Sequence, residues 1–330
     1  MKILVAATII LSLPGAIAAQ TDAVRVVYYP PWNVSKLPMY MARESGIFER
    51  NGLKITWTNP GSNDKLLATL KSGGADIAVV SANHVVQSNA SGGAPMLLVG
   101  NTGYNYAALL AAAPVKSAAD LKGKRIGTGQ AGSTPDLLTR LALRKLGLDS
   151  DSDVTLVHFD EGRSSDRVHN LLTGDIAAML VTAEALFDLE KTGQIHRLTR
   201  LADHKRLKIY AGGGADYAIS AAFLKTRRND AKSFMSGICE GIALARKDKP
   251  RALGFVAKSG RDLDAAAIEY LYELYISEVI PARPHLKPEG IDLAIQMTSS
   301  LPSATRAAKA QDFADSALLG ELEKEGRCNF

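Results

Sequence analysis

A glycine-rich loop in the middle of the chain carries residues whose types and spacing could do chemistry. Residues 127–132 have the spacing GxGxxG, and Ser133 and Thr134 follow directly. Thr134 is a suitable N-cap and Pro135 suits the first helical position, so the pattern predicts a helix whose free amides point back at the loop. These amides, at the positive end of the helix dipole, favour an oxygen of a sulfonate, carboxylate, phosphate or nitrate group. We therefore expect Gly132, Ser133 and Thr134 to contact ligand; a helix cap without ligand is the alternative.

The same spacing also occurs in dinucleotide-binding loops, where an acidic residue after the next strand holds a ribose. Asp160 stands at the end of the next predicted strand. The motif nevertheless begins far from the N-terminus, and the strand before it is short and basic. We favour the anion-binding interpretation and expect no cofactor.

Other candidate ligand-binding residues stand on loops at the ends of predicted strands. Trp32 and Asn33 follow the first strand, where an indole ring can cover a planar ligand and an amide can orient it. Arg163 could pair with a carboxylate or sulfonate through two hydrogen bonds. Glu184 would repel an anion and would favour a ligand that carries an amine or another hydrogen-bond donor. The remaining candidates follow two later strands: Ser81, Asn83, His84 and Thr182.

Ordinary structural roles are the alternative for several of these residues. Trp32 could be an aromatic residue at the edge of the core, His84 a satisfied structural histidine, and Arg163 a solvated surface arginine. The sequence contains no GxSxG elbow, no HExxH pattern and no closely spaced histidine and cysteine set. We therefore expect no catalytic residue and no metal site, and the export signal described below leads us to expect no enzyme.

Strands alternate with helices along the chain, which predicts mainly parallel sheets flanked by helices. The hydrophobic patterns predict strands over 24–28, 54–58, 77–80, 96–100, 154–159, 177–181 and 217–221. They predict helices over 35–48, 64–71, 135–146, 166–172, 231–247, 265–280 and 290–300, and everything beyond 223 has a helical pattern.

A repeated segment indicates two similar lobes. Residues 70–83 align without a gap with residues 171–184, 101 positions later. In both copies a helix ends at glycine, a buried strand follows, and a hydroxyl residue, Ser81 or Thr182, stands at the carboxyl end of the strand. Because ligands of open α/β sheets bind beyond these ends, we expect Ser81 and Thr182 to face each other across a cleft. Chance similarity between two helix–strand units is the alternative.

Two stretches of the sequence together resemble a known family. They are residues 37–53, in which a predicted helix ends at Gly46 and a strand follows Gly52, and residues 70–77. Their order and spacing are similar to the first lobe of the periplasmic substrate-binding proteins of ABC importers for nitrate, sulfonates, taurine and thiamine precursors. The resemblance implies an α/β, two-lobed type II periplasmic binding protein fold. Two mainly parallel sheets, flanked by helices, would enclose a ligand cleft between the lobes.

The same resemblance implies a solute-binding component that closes by hinge motion around a small solute. The solute would be a sulfonate, a carboxylate or nitrate, and the partners would be ABC permease transmembrane subunits with a cytoplasmic ATPase. Two alternatives stay open: an enzyme of the same fold in thiamine or menaquinone precursor metabolism, and a ligand-sensing module that partners a membrane receptor.

The N-terminal residues predict export. Lys2 precedes an apolar run over 3–13, Pro14 and Gly15 interrupt it, and small residues follow over 16–18. We expect residues 1–19 to be a signal peptide that is cleaved near Ala18 or Ala19, which leaves a periplasmic protein. No cysteine lies near this site, so we do not expect a lipoprotein.

The roughly 310 residues that follow suit two lobes. We expect lobe 1 to comprise 20–106 and 216–330, and lobe 2 to comprise 107–215. The formal charge of +5 is spread along the chain; it favours anionic ligands weakly and gives no reason to expect nucleic acid binding. We expect a monomer. Cys239 and Cys328 could pair in an oxidising periplasm, and two buried free thiols are the alternative.

Overall fold

The computed structural model describes residues 22–29, 34–104, 106–160, 164–203, 215–258, 263–297, 305 and 307–329. Strands in this part of the chain form two five-stranded sheets. The strands are β1 (Val24–Tyr28), β2 (Ile55–Thr58), β3 (Ile77–Val80), β4 (Met96–Asn101), β5 (Ala107–Ala112), β6 (Arg125–Thr128), β7 (Thr155–His158), β8 (Ala178–Thr182), β9 (Ile195–Arg200) and β10 (Asp216–Ser220).

The two sheets have the same topology. The first has the order β2-β1-β3-β10-β4 and the second β7-β6-β8-β5-β9. In each sheet one strand, β10 or β5, runs antiparallel to both of its neighbours. The strands β3 and β8 occupy the same central position, so the repeated segments map onto equivalent places in the two sheets. The predicted fold class, with two mainly parallel sheets, is confirmed.

Helices cover the faces of both sheets. The α-helices of the described residues are α1 (Leu37–Glu44), α2 (Ile47–Arg50), α3 (Asn63–Lys71), α4 (Ala82–Ala90), α5 (Thr134–Lys145), α6 (Ser164–Thr173), α7 (Ala183–Lys191), α8 (Ala221–Thr226), α9 (Arg228–Lys247), α10 (Lys249–Ala257), α11 (Ala265–Leu274), α12 (Pro288–Met297) and α13 (Ala317–Lys324). A π-helical turn, Tyr275–Val279, extends α11. In the described residues, no helix combines the length and the apolar character needed to cross a membrane.

Close packing of α9 against α1 and α2 depends on glycine. A Cβ atom on Gly241 would lie 2.1 Å from the carbonyl oxygen of Pro38, and one on Gly237 would lie 2.7 Å from the Phe48 ring. The Phe48 ring also stacks on Phe234, with 5.2 Å between the ring centroids. The absence of side chains at these two positions therefore lets the longest helix of the described residues approach the first sheet's helical layer.

Three local predictions differ from the structure. The predicted helix over 35–48 is divided: a 3-10 turn precedes α1, and Gly46, at φ +65°, separates α1 from α2. The strands β5 and β9 and the helix α7 were not predicted; in β9 and α7, charged residues weaken the hydrophobic pattern. The all-helical prediction beyond 223 is also wrong locally, since Ala314 forms a parallel bridge with Leu98 of β4.

A buried carboxyl group stands where the chain leaves and re-enters the first sheet. Asp216, the first residue of β10, is paired in register with Asn101, the last residue of β4. Its carboxylate accepts hydrogen bonds from the Asn101 side-chain amide and from the backbone N–H of Ala82, at 2.9 Å for the latter. Asp216 is 0% exposed, and this burial raises its pKa to about 7 against the opposing effect of the two hydrogen bonds. We call Ala82, Asn101 and Asp216 the connection triad.

The C-terminal segment is fastened to α9. Cys239 on α9 and Cys328 form a disulfide with a Cα–Cα distance of 5.4 Å. Nearby, the hydroxyl of Ser236 donates to the carbonyl of Arg327 at 3.1 Å. Arg228 at the start of α9 forms ion pairs with Asp315 and Glu321. The last helix of the described residues is thus held by one covalent bond and several polar contacts.

Removal of the disulfide should destabilise the protein strongly. The bond links residues 89 positions apart, and in the chain-entropy model such a crosslink contributes on the order of 4 kcal/mol to the free energy of unfolding. We expect C239A/C328A to lose about this amount in urea titrations. The matched control is Ser236→Ala, which removes one polar contact of the same segment and should cost about 1 kcal/mol. Equal losses in the two proteins would contradict this account.

The stability of the protein should depend on the titration of Asp216. The carboxyl group has a pKa of about 7 in the folded state and an ordinary value of 3.8 when unfolded, so the folded state binds the proton more tightly. Its contribution to the free energy of unfolding is therefore complete below pH 4 and is lost as the pH rises through 7. Between pH 4 and pH 8, the free energy of unfolding of the wild type should fall by about 4 kcal/mol relative to that of Asp216→Asn. Urea titrations at fixed pH measure this difference; a constant difference would rule out the raised pKa.

Candidate functional site

A hydrogen bond joins the carboxyl edges of the two sheets. The hydroxyl of Thr134, the first residue of α5, donates to the side-chain carbonyl of Asn83 at 3.1 Å. Asn83 is on the first turn of α4, directly after β3, and is 0% exposed. Because α5 follows β6 in the second sheet, this contact brings together the strand ends at which open α/β sheets bind ligands. We call the region around Asn83, Ser133 and Thr134 the seam.

Polar atoms in the seam are buried without a partner. The side-chain nitrogen of Asn83 and the hydroxyl of Ser133 have no hydrogen-bond partner in the structure. Ser133 is the N-cap of α5, yet its side chain makes no capping bond. The sequence interpretation of Thr134 as N-cap and Pro135 as the first helical residue is thus wrong by one position, since α5 begins at Thr134. The Thr134 hydroxyl donates to Asn83 instead of capping the helix, and the Ser133 hydroxyl is left without a partner.

A carboxylate occupies the first turn of α5. Asp136 is 2% exposed, and its Oδ2 accepts from the N–H of Gly132 at 3.0 Å and from Nε of Arg140 at 3.2 Å. Its Oδ1 lies 3.8 Å from Nδ1 of His158 and has no hydrogen-bond partner. The helix dipole stabilises this negative charge. The loop therefore presents an acceptor as well as the donors that the sequence led us to expect.

Packing accounts for two glycines of the GxGxxG loop. A Cβ atom on Gly127 would lie 2.4 Å from Cδ1 of Ile176, and one on Gly129 would lie 2.8 Å from the hydroxyl of Ser133. Gly132 has φ +77°, which other residues rarely adopt. These requirements explain the motif without a nucleotide.

The other described candidates also stand at strand ends. Ser81 and Thr182 are the N-caps of α4 and α7; Ser81 is buried and Thr182 is exposed. That they face each other stays a prediction. His84 lies one residue beyond Asn83; burial lowers its pKa, and its Nδ1 atom has no hydrogen-bond partner. A neutral imidazole at this point suits a structural role or a contact to an uncharged ligand group.

Arg167 is a candidate that the sequence interpretation missed. It lies on the first turn of α6, four residues before Leu171, which is buried in the core. Residues at this spacing share a helix face, so Arg167 is on the face of α6 that packs toward the sheet. Because α6 follows the carboxyl end of β7, Arg167 lies at the same edge of the second sheet as the seam. Its Nε atom is buried without a hydrogen-bond partner, and burial lowers the pKa of its guanidinium.

Comparison with known proteins identifies the family of this chain. Residues 33–252 match the model of the family described as NMT1/THI5 like. The chain belongs to the NMT1/THI5-like family. The resemblance inferred from residues 37–53 and 70–77 is therefore confirmed at family level.

Solved structures similar to this NMT1/THI5-like protein share its fold. The periplasmic aliphatic sulphonate binding protein of Escherichia coli matches with a TM-score of 0.68 and 20% identity, over 84% of this chain and 85% of that one. The periplasmic nitrate-binding protein of Synechocystis PCC 6803 matches with a TM-score of 0.69 and 13% identity, over 93% and 89%. At these identities the likeness shows the fold, a two-lobed periplasmic binding protein fold.

Relatives by sequence match a shorter part of the chain. A Brucella abortus (strain 2308) protein named as a binding protein is 33% identical over 150 residues, which is 45% of each chain. A Haemophilus influenzae protein named for thiamine biosynthesis is 32% identical over 154 residues, 45% of this chain and 46% of that one. The chain thus matches about half the length of these curated relatives.

Several candidates of this NMT1/THI5-like protein lie outside the described residues. These are Trp32, Asn33 and Arg163; Glu184 belongs to α7, but its side chain is not described. Among the residues that are described, no three His, Cys, Asp or Glu side chains are grouped so that they could hold a metal ion.

The two carboxylates on Arg140 should differ in their importance. Arg140 pairs with Asp136, which is buried, and with Asp151, whose side chain is 80% exposed. Asp136→Ala leaves Arg140 and the Gly132 N–H without this partner, so we expect a loss of about 2–3 kcal/mol in urea unfolding. Asp151→Ala is the matched control and should cost less than about 0.5 kcal/mol. If both variants lose the same amount, Asp136 does not organise the loop as described.

Proposed function

We propose that this protein is the extracytoplasmic solute-binding component of an ABC importer. It binds a small, anionic organic solute, a sulfonate or carboxylate, or nitrate, at the seam. The observation that carries this proposal is the Thr134–Asn83 contact, with unpartnered buried polar atoms on both sides of it. A buried polar group without a partner costs about 1–3 kcal/mol, so a ligand that pairs with these atoms gains that free energy.

Arg167 supplies the positive charge for the anionic group. No carboxylate of the described residues pairs with it, and the N-terminal end of a helix is an unfavourable place for a cation. A partly buried guanidinium in this position is stabilised by an anion that it can bind through two hydrogen bonds. The sulphonate and nitrate ligands in the names of the structural neighbours agree with this ligand class.

Hinge closure of two lobes would complete the site. We assign residues 20–106 and 216–330 to lobe 1 and residues 107–215 to lobe 2. The division is supported by the two sheets, since β1 to β4 and β10 form the first and β5 to β9 form the second. The protein acts in the periplasm as a monomer and delivers solute to permease subunits driven by a cytoplasmic ATPase. The periplasmic location of the structural neighbours supports this placement.

Binding of a thiamine precursor is a second candidate function. The unpartnered Oδ1 of Asp136 is an acceptor, which suits an amino group on a heterocycle better than an anion. The relative from Haemophilus influenzae, named for thiamine biosynthesis, favours the same class. In this case Asp136, rather than Arg167, would select the ligand.

A thermal-shift screen distinguishes the two ligand classes. The compounds are taurine, ethanesulfonate, nitrate, small carboxylates, aromatic acids and aminopyrimidines, each tested with the purified protein. A ligand at 100 times its dissociation constant adds about 2.7 kcal/mol of stability, which raises the melting temperature measurably. We expect a sulfonate, a carboxylate or nitrate to give the shift.

Arg167→Gln should then weaken binding of that anion at least about tenfold, as measured by calorimetry, because a charge-assisted hydrogen-bond pair is lost. The matched control is Arg125→Gln, since Arg125 is exposed at the opposite end of β6 and should not affect affinity. A shift with aminopyrimidines alone favours the second candidate. Turnover of a compound without a stable shift would refute the binding function and favour an enzyme.

A further inference from the structure

The connection triad ties three separate parts of the chain to one carboxyl group. Ala82 begins α4, Asn101 ends β4, and Asp216 begins β10. The carboxylate of Asp216 accepts from the first and second of these, and the side-chain carbonyl of Asn101 accepts from the N–H of Gly103 at 3.0 Å. Asp216 is 0% and Asn101 5% exposed, so water does not compete for these bonds.

All three parts lie where one sheet connects to the other. The segment after Asn101 runs to β5 and the segment before Asp216 returns from β9, so both connections between the sheets pass this point. The backbone N–H of Thr102 also donates to the carbonyl of Ala215 at 3.0 Å, which holds the two segments side by side. Ala82 is the residue before Asn83, the lobe 1 residue of the seam.

Burial of a carboxylate at this position is unfavourable unless both of its oxygens accept hydrogen bonds. Among the described residues no cation pairs with Asp216, and a buried charge without a cation is unfavourable. The start of α4 offsets part of this cost through the helix dipole. An asparagine would place an NH₂ group against either the Asn101 amide or the Ala82 N–H, and one hydrogen bond would be lost.

We propose that Asp216 is a positioning residue that sets the arrangement of the two sheets relative to each other. By accepting from Asn101 and from the N–H of Ala82, it fixes where the two connecting segments meet and where α4 begins. The inference goes beyond solute binding: it concerns the interlobe geometry of the free protein and holds whichever solute binds.

An exchange of the two side chains tests the triad. Asp216→Asn should break one hydrogen bond, whereas N101D/D216N restores all three. In the exchanged pair the new amide at position 216 accepts from Ala82 and donates to the new carboxylate at position 101, which still accepts from Gly103. Asp76→Asn is the matched control, because Asp76 is a buried carboxylate beside the opposite end of β3, where it pairs with Arg25.

The interlobe distance is measured by pulsed electron paramagnetic resonance on the purified protein with its disulfide intact. Spin labels are attached after Glu49→Cys and Lys145→Cys, at exposed positions of α2 and α5. We expect Asp216→Asn to shift or broaden the distance distribution, N101D/D216N to return it to that of the wild type, and Asp76→Asn to leave it unchanged.

A folded Asp216→Asn protein with the wild-type distribution would overturn the proposal, and so would an exchange variant that fails to restore it. If Asp216→Asn does not fold, the exchange variant N101D/D216N tests the proposal. A folded exchange variant with the wild-type distance supports the positioning role of Asp216, and an exchange variant that does not fold overturns it.

Discussion

The side chains of Asn101 and Asp216 are hydrogen-bonded although 115 positions separate them in the sequence. The strands described between them, β5 to β9, all belong to the second sheet. A chain that leaves the first sheet at the end of β4 and returns beside the same point must run in the opposite direction when it re-enters. This constraint explains why β10 is antiparallel in a sheet that is otherwise parallel. The same argument applies to β5, which enters the second sheet beside the point where β9 leaves it.

This route through the fold also places the seam, at which we propose that the solute binds. Because β3 and β6 both run toward the boundary between the sheets, the helices α4 and α5 that follow them begin there. Thr134 and Asn83 meet at this boundary, where the side-chain nitrogen of Asn83 and the hydroxyl of Ser133 are buried without a hydrogen-bond partner from the protein. Asp136 and Arg167 place opposite charges on the second sheet's side of the boundary. Such a surface can form hydrogen bonds with a small polar solute, whereas an apolar solute would leave these groups unpaired.

The C-terminal helices stabilise the arrangement from outside. Helix α9 packs against α1 and α2 through two glycines, and the disulfide with the ion pairs of Arg228 fastens the C-terminal segment of the described residues to α9. None of these contacts touches the seam. They lie in the helical layer beside the first sheet.

The sequence by itself determined the family, the α/β class and most of the strands, because buried strands such as 77–80 and 178–181 are continuous apolar runs and their repeat is local. It also indicated Asn83, Ser133 and Thr134, since strand ends and helix starts can be recognised from adjacent residues. It did not indicate Asp136, Arg167 or Asp216 as site or connection residues, because the burial that gives each charged group its role comes from the tertiary structure, and the partners of Asp216 are also distant in the chain. The start of α5 was misplaced by one residue, since Ser133 and Thr134 are both acceptable caps and packing chose between them. Only the tertiary structure decided which polar groups are buried, which are left without partners and which carboxylate joins the two connecting segments, since the contacts of Thr134 with Asn83 and of Asp216 with Asn101 and Ala82 join residues that are 51, 115 and 134 positions apart.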